Sequence, residues 1–360
     1  MASESLRDET PPRFCNNFTD QDINEIRLLL RGDSIIDWHR LDLTHISEVH
    51  RLLRLNGFDH DDPRDQERIA FLRTSATDYI INTLKLRIDP AVASEIEFPE
   101  ILLLASAEGT LQRNACLLLK VMHVINHLQA RELRTKLAIS DNELFSIVEE
   151  SVVKMFDELR KAGVPVIEFS WSRKSNASLI TKLLIKRRNI AARIFDRLRF
   201  RLIVAEDKDI EPTLQVILRK CIPFNYIVPA ETVNSLVDID RVSQLTDDPP
   251  PTTAPQRSAE TSTDDSPSAC NEFSGNDFRI LNFIADLPVR VDEILQSDSN
   301  YVIENGRITF VLAEFQLLDR ATAERNEAGE SSHKLYKQRQ HNRVKERLLR
   351  IPSGSKSTLT

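Results

Sequence analysis

Apolar residues recur at helical spacing through the first part of the chain, from Gln21 to about Lys161. One such stretch comprises Leu144, Ile147, Val148, Val152 and Met155. Residues three or four positions apart lie on the same face of a helix, so this stretch predicts an amphipathic helix. Similar spacing before it predicts an all-helical region over residues 21–162.

The pattern changes at Gly163-Val164-Pro165, where alternation of polar and apolar residues replaces the helical spacing. Successive side chains of a strand point to opposite faces, so alternation predicts β-structure. The predicted strands are Val166–Trp171, the stretch that follows Asp196 and ends at Val204, Phe278–Val291, and Arg307–Gln316. In the second of these, Phe200, Leu202 and Val204 share one face and Arg199 and Arg201 the other.

Helices are predicted between and after these strands. One carries Leu179 and Leu183, a second runs from Asp209 to Lys220 with Asp209 as its cap, and a charged helix runs from Arg320 to about Leu349. Pro223–Pro229 is predicted to be short and extended. We place a domain boundary near residue 163, which separates a helical domain, 21–162, from a second domain, 163–350.

Three segments are predicted to lack fixed structure. Residues 1–20 are polar and contain Pro11-Pro12, which predicts a flexible N-terminus. Residues 245–275 are rich in Pro, Ser, Thr and Asp and poor in apolar groups, so we predict a disordered insertion. Residues 351–360 are expected to form a flexible tail.

Composition narrows the class of protein. The chain has 360 residues, of which 41% are hydrophobic, and a formal net charge of -7. It can bury a substantial core, and its acidic balance argues against general polyanion binding, so affinity for phosphate has to come from a local basic cluster. The four cysteines are scattered, which favours free thiols in a reducing compartment. We find no apolar stretch long enough to span a membrane and expect a cytoplasmic protein.

Basic residues lie at the start of the helix that follows the first strand. Arg173 and Lys174 precede the predicted N-terminus of this helix, and Lys182 lies further along it. The amide groups and the dipole at a helix N-terminus favour a phosphate, which adds to the attraction of the basic side chains. A charged helix face is more often simply solvated, and this alternative stays open.

Two carboxylates lie at the ends of predicted strands. Asp196 precedes the second strand, and Glu314 lies near the end of the last one, two residues before Gln316. Mg²⁺ binds one or two carboxylates together with phosphate oxygens, so two acids converging beside basic groups predict a nucleotide triphosphate site. Acids at strand ends are otherwise plain surface groups.

Histidines offer two further candidates for metal binding. His60-Asp61 lies between Gly57 and Pro63, which predicts an acidic surface loop and not a rigid metal site. His123 and His127 are one helical turn apart, but no Glu follows His123 to complete a zinc motif. We expect both imidazoles to pack between helices and to be satisfied by hydrogen bonds.

The region from about residue 165 to 350 resembles the synthetase domain of RelA/SpoT-type alarmone synthetases. Members of this family carry a basic segment, a strand that opens with an Ile-Phe-Asp-type acid, and an ExQ strand, here Glu314-Phe315-Gln316. After the ExQ strand comes a pattern of Glu, Gly, His, Tyr and Lys, here Glu327, Gly329, His333, Tyr336 and Lys337. The resemblance implies an α+β fold, with the helical domain followed by a mixed, helix-flanked β-sheet related to nucleotidyltransferases.

The resemblance also implies a reaction, the transfer of the β,γ-pyrophosphate of ATP to a ribose 3′-hydroxyl. Asp196 and Glu314 would hold Mg²⁺, Glu314 would alternatively act as base, and Gln316 would orient the site. Arg173, Lys174 and Lys182 would hold the ATP phosphates. The further nucleotide-binding candidates are Arg201, Tyr226, Asn234, His333, Tyr336 and Lys337.

The chain departs from the family pattern on the acceptor side. After Pro229 the family has a Lys and a Gly-Tyr whose ring stacks on guanine, whereas this chain has Ala230–Leu236. Leu318 replaces a basic residue. We therefore expect an acceptor other than the usual guanine nucleotide, such as an adenosine nucleotide or an RNA 3′ end. A nucleotide-binding pseudoenzyme and a structural protein remain the alternatives, and the oligomeric state stays open.

Overall fold

The computed structural model describes residues 18–32, 43–185, 198–242, 245, 278–292, 305–328 and 333–349. Most of the predicted flexible N-terminus, nearly all of the predicted insertion and the predicted tail lie outside these residues. Asp196, the predicted metal ligand before the second strand, also lies outside them.

The first part of the chain is helical, as predicted. It contains α1 (Asp20–Arg31), α2 (Ile46–Leu55), α3 (Pro63–Asp78), α4 (Phe98–Ser106), α5 (Gln112–Lys136) and α6 (Asp141–Lys161), with π-helical turns at Tyr79–Thr83 and Ala91–Glu95. Local sequence explains the start of α6: Ser140 Oγ accepts a hydrogen bond from the Glu143 amide, and the Glu143 carboxylate accepts one from the Ser140 amide. This reciprocal pair satisfies two amide groups that a helix N-terminus leaves without partners.

The described residues of the second part form one five-stranded sheet with the order β1-β2-β5-β4-β3. Its strands are β1 (Val166–Arg173), β2 (Leu198–Val204), β3 (Val233–Asn234), β4 (Leu281–Arg290) and β5 (Ile308–Asp319). Among the strands that the structure describes, only the β2–β5 pair is parallel. Along this region lie the helices α7 (Asn176–Ile185), α8 (Ile210–Lys220), α9 (Ile239–Val242), α10 (Arg320–Glu327) and α11 (His333–Leu349). The predicted α+β class, helices followed by a mixed sheet, is confirmed.

One face of the sheet is an aromatic layer. Phe169, Phe200, Phe315 and Phe283 stack in turn across β1, β2, β5 and β4, and Phe156 of α6 stacks on Phe169. Offset stacking adds to the free energy that burial of these rings contributes. Because side chains alternate along a strand, the residues between these aromatics point to the other face, which is polar.

The helical part and the sheet share one continuous hydrophobic core. Polar contacts also join them: Asn56 and Asn225 exchange two amide hydrogen bonds, and Arg290 of β4 donates to Asp65 of α3 at 2.6 Å. Helix α5 packs against β5. The division into two domains therefore stays a prediction, made from sequence pattern alone.

Three local predictions were wrong. The carboxylate of Asp209 accepts a hydrogen bond from the Glu206 amide and does not cap α8. Pro223–Pro229 contains a buried 3-10 turn, Phe224–Tyr226, where we expected extended chain. The charged C-terminal helix is divided, because α10 ends at Glu327 and Ala328 is extended. Among the described residues, no helix combines the length and the apolar character that crossing a membrane requires.

Candidate functional site

Glu314 lies on the polar face of the sheet and is 5% exposed. Its Oε2 accepts a hydrogen bond from Arg199 Nε at 2.8 Å, and its Oε1 accepts one from Gln316 Nε2 at 3.1 Å. Burial alone would raise the pKa of this carboxyl, but the charges of Arg199 and Lys174 and the two hydrogen bonds outweigh burial and lower it. Glu314 is therefore ionised at neutral pH.

Lys174 approaches Glu314 from the end of β1. Its side chain is partly buried, and burial is the main cause that lowers its pKa to about 7; Glu314 opposes the shift, while Arg199 and Lys182 add to it. Lys182 is carried on α7, one helical segment further along the chain. The structure thus brings Lys174, Lys182 and Glu314 into one electrostatic cluster, and the predicted contacts of Lys174 and Lys182 with phosphate stay a prediction.

Arg173 points to the opposite side of the sheet. Its guanidinium pairs with Glu149 of α6 at 2.6 Å, donates to Ser146 at 3.0 Å, and lies 5.7 Å from the centre of the Phe145 ring. The strand ends at Arg173, and Lys174, the residue after it, is the one that interacts with Glu314. The structure corrects the predicted role of Arg173: it joins β1 to α6.

Arg201, Gln316 and Asn282 form a second row beside Glu314 on the polar face, opposite one another on β2, β5 and β4. Arg201 donates to Glu327 at 3.2 Å. Within the described residues, the buried atoms Arg201 Nε and Asn282 Oδ1 have no hydrogen-bond partner. Buried polar atoms are normally satisfied, so this row has unused capacity to donate and accept hydrogen bonds from a ligand.

Tyr226 and Asn234 lie away from this cluster. Tyr226 is buried, its ring packs against Phe310 and His123, and its hydroxyl accepts a hydrogen bond from Asn126 at 3.2 Å. Burial raises the pKa of Tyr226. Asn234 shapes a turn, because its Oδ1 accepts hydrogen bonds from the Leu236 and Val237 amides. The predicted nucleotide contacts of Tyr226 and Asn234 therefore need correction, since packing and turn formation occupy these side chains.

The three candidates of the C-terminal pattern lie at the start of α11, which packs against α7. His333 is the first residue of this helix. Tyr336 accepts a hydrogen bond from Gln340 at 2.7 Å, and Lys337 is exposed. These residues therefore lie on a helix next to the one that carries Lys182. Their contacts with nucleotide stay a prediction.

The paired histidines of α5 pack against strands of the sheet and the turn at Phe224–Tyr226, where we expected packing between helices. His127 Nε2 is 2.7 Å from Asp286 Oδ2 of β4, and its ring meets Phe310 edge-on. His123 packs against Tyr226, and burial lowers its pKa to about 4. In the part of the chain that the structure describes, no group of three His, Cys, Asp or Glu side chains is arranged to hold a metal ion.

Comparison with known proteins gives one kind of match. No protein-family model and no curated protein matches the sequence. Solved structures similar to this chain include small alarmone synthetases. Small alarmone synthetase 2 from Bacillus subtilis is 16% identical over 58% of this chain and 89% of its own, with a TM-score of 0.32. Small alarmone synthetase 1 from Bacillus subtilis, bound to its product pppGpp, is 12% identical over 58% and 87%, with a TM-score of 0.31.

A third match is a GTP pyrophosphokinase family protein from Streptococcus pneumoniae. It is 11% identical over 58% of this chain and 84% of its own, with a TM-score of 0.29. TM-scores this low carry nothing about chemistry, so the function has to be inferred from the side chains of this chain.

The described residues do not fit a divalent cation at Glu314. A nitrogen donor lies on each carboxylate oxygen, and one of them is the permanently charged guanidinium of Arg199. A divalent ion about 4 Å from a guanidinium would be repelled by ~8 kcal/mol at an effective dielectric constant of ~20. Arg199 would have to leave Glu314 before a cation bound there. The predicted partner ligand, Asp196, lies outside the described residues.

Arg199 is the site residue that sequence reasoning missed. Alternation placed it on the polar face of β2, but its partner is 115 residues away in the chain. Only the parallel pairing of β2 with β5 sets Arg199 directly opposite Glu314. The sequence did contain one indication of this role, because two arginines alternate with buried apolar residues along β2. A partly buried arginine on a sheet face requires a charged or polar partner.

Proposed function

We propose that this chain binds the triphosphate of ATP on the polar face of the sheet and transfers its β,γ-pyrophosphate to a ribose 3′-hydroxyl of a nucleotide or an RNA. One observation carries the proposal. Glu314, in the strand where the sequence resembles the alarmone synthetases, is an ionised carboxylate surrounded by Arg199, Lys174 and Gln316. A carboxylate amid cationic donors is a setting for transfer of a highly charged group.

The cations of the face bind the donor. Among the described residues, the cluster has four cationic side chains: Lys174 after the end of β1, Lys182 on α7, and Arg199 and Arg201 on β2. A triphosphate supplies several negative charges to pair with them. Hydrogen bonds between charged partners are stronger than neutral ones, and guanidinium groups bind phosphate with two nitrogen atoms. The buried Nε of Arg201 gains a partner in this arrangement.

The transfer itself is a displacement at phosphorus. The 3′-oxygen of the acceptor attacks the β-phosphorus of ATP, and the bond from that phosphorus to the α,β-bridging oxygen breaks. AMP leaves with that oxygen and its electron pair, and the acceptor keeps a 3′-diphosphate. Glu314 accepts the proton of the hydroxyl and passes it to solvent. Positioning and charge neutralisation supply most of the rate in such reactions.

A second candidate function is nucleotide binding without transfer. The ion pair with Arg199 favours it, because the lowered pKa of Glu314 makes this carboxylate a weaker base. A chain of this kind would signal through its nucleotide-bound state, with the helices that pack on the sheet as the responding element.

One experiment separates the two functions. The protein is incubated with γ-labelled ATP and a panel of adenosine and guanosine nucleotides and tRNA, with Mg²⁺ in one series and EDTA in another. The transferase proposal expects label on an acceptor and release of AMP, both lost in Glu314→Gln. Arg241→Gln is the matched control, since Arg241 of α9 pairs with Asp207 and Glu211, two carboxylates outside the cluster. ATP binding with no labelled acceptor would leave the binding function and reject transfer.

A further inference from the structure

The ion pair between Arg199 and Glu314 is built into the sheet. β2 and β5 are parallel neighbours, and their register places the two residues directly opposite each other. Gln316 holds the second carboxylate oxygen from the same strand as Glu314. The pair is therefore set by main-chain pairing, and not by a chance approach of two flexible side chains.

Other fixed cations lie around this pair. Lys174 interacts electrostatically with Glu314, Arg199 and Lys182, and Arg201 lies one row further along the same face of β2. A divalent ion at Glu314 would add two more positive charges to this cluster. The repulsion between a divalent ion and a guanidinium is twice that between two single charges at the same distance.

We propose that the guanidinium of Arg199 takes the cation position at Glu314, so that the site binds a nucleoside triphosphate in its metal-free form. This inference rests on the proposed function only in naming a triphosphate as the ligand. It assigns to Arg199 the part that a metal ion would otherwise play, which is to neutralise Glu314 and to attract phosphate oxygens.

The charges explain why the metal-free form is preferred. The metal-free triphosphate interacts with the cations of the face through its full negative charge. In the Mg²⁺ complex, the metal ion has already neutralised half or more of that charge. Attraction to fixed cations falls in proportion to the ligand's charge. A site with fixed cations therefore loses affinity when Mg²⁺ is added, while a site that holds a metal at a carboxylate gains affinity.

The test measures binding of α,β-methylene-ATP, in which a methylene group replaces the oxygen that bridges the α- and β-phosphorus, so that the transfer cannot occur. Its dissociation constant is determined calorimetrically with EDTA and with excess Mg²⁺. We expect the wild type to bind the metal-free form about tenfold more tightly, which corresponds to one decade in the dissociation constant. In Arg199→Gln this preference should disappear or reverse, because Glu314 is then open to the metal. Arg241→Gln should keep the wild-type preference.

A preference of the wild type for the Mg²⁺ form that is lost in Glu314→Gln would overturn the inference, because Glu314 would then hold the metal. If neither form binds, the proposed function fails, and Mn²⁺ alone decides the role of Arg199. Mn²⁺ bound by wild type and by Glu314→Gln is then counted by electron paramagnetic resonance. Equal counts support Arg199 as the cation at Glu314, and one ion fewer in Glu314→Gln rejects it.

Discussion

Nucleotide affinity should fall as the pH rises above 7, and Lys174→Arg should remove that dependence. Burial is the main cause that lowers the pKa of Lys174 to about 7, with contributions from Arg199 and Lys182 against the opposing effect of Glu314. A bound triphosphate favours the charged form of Lys174 and raises its pKa in the complex. The complex therefore takes up a proton when it forms above pH 7.

The size of the effect follows from that pKa. Only the protonated fraction of Lys174 is ready to bind, so the apparent dissociation constant should rise about three- to fivefold between pH 7 and pH 8. The rise should level off between about 10-fold and 100-fold, because a hydrogen bond to a charged group contributes about 1.5–3 kcal/mol. Arginine stays charged throughout this range, so Lys174→Arg should bind with nearly constant affinity.

The assay is calorimetric binding of α,β-methylene-ATP between pH 7 and 9, in buffers with different ionisation enthalpies. Proton uptake of about 0.4–0.8 per site at pH 8 is expected for the wild type, because a 10-fold to 100-fold plateau places the pKa of Lys174 in the complex about one to two units above its value in the free protein. Uptake near zero is expected for Lys174→Arg. The same pH slope for the two proteins, or wild-type binding without proton uptake at pH 8, would contradict this role of Lys174.

Three further predictions test the sheet and its surroundings. Lys174→Gln should weaken nucleotide binding at pH 7 by about tenfold or more. Arg173→Gln should leave the affinity unchanged and lower the free energy of unfolding in urea by about 0.5–1 kcal/mol, because the ion pair of Arg173 with Glu149 is largely exposed. Equal losses of affinity in the two variants would contradict the opposite orientation of the two side chains. Phe200→Ala should cost about 3–5 kcal/mol, since Phe200 is fully buried in the aromatic layer, and the half-exposed Trp171→Ala should cost far less. The folded-state pKa of His123 lies near 4, below its ordinary 6.5, so the unfolded state takes up its proton first: stability is fully present above pH 6.5 and is lost as the pH falls towards 4. Between pH 7 and 5 the loss should be about 2 kcal/mol, and a His123→Asn variant with an equal loss over this interval would show that another group is responsible.

The faces of the strands could be read from the sequence. Phe200 and Leu202 alternate with Arg199 and Arg201 along β2, and the structure buries the first two in the core while the arginines lie on the polar face. This prediction succeeds because alternation is a property of a single strand and needs no knowledge of its neighbours.

Roles that depend on packing could not be read in the same way. Arg173 and Lys174 are adjacent basic residues, and nothing local shows which of them faces α6 and which faces the cluster. Tyr226 lies between prolines in a segment that the sequence predicted to be short and extended. Helix α5, about a hundred residues earlier, covers it and supplies its hydrogen-bond partner, Asn126.

The ExQ strand shows where the sequence stops being sufficient. By itself the sequence determined that β5 carries Glu314 and Gln316 on one face, because two residues of a strand that are two positions apart share a face. Only the tertiary structure decided that Arg199 is the partner of Glu314. Strand pairing brings together residues 115 positions apart, and its register depends on the packing of the whole sheet rather than on local pattern.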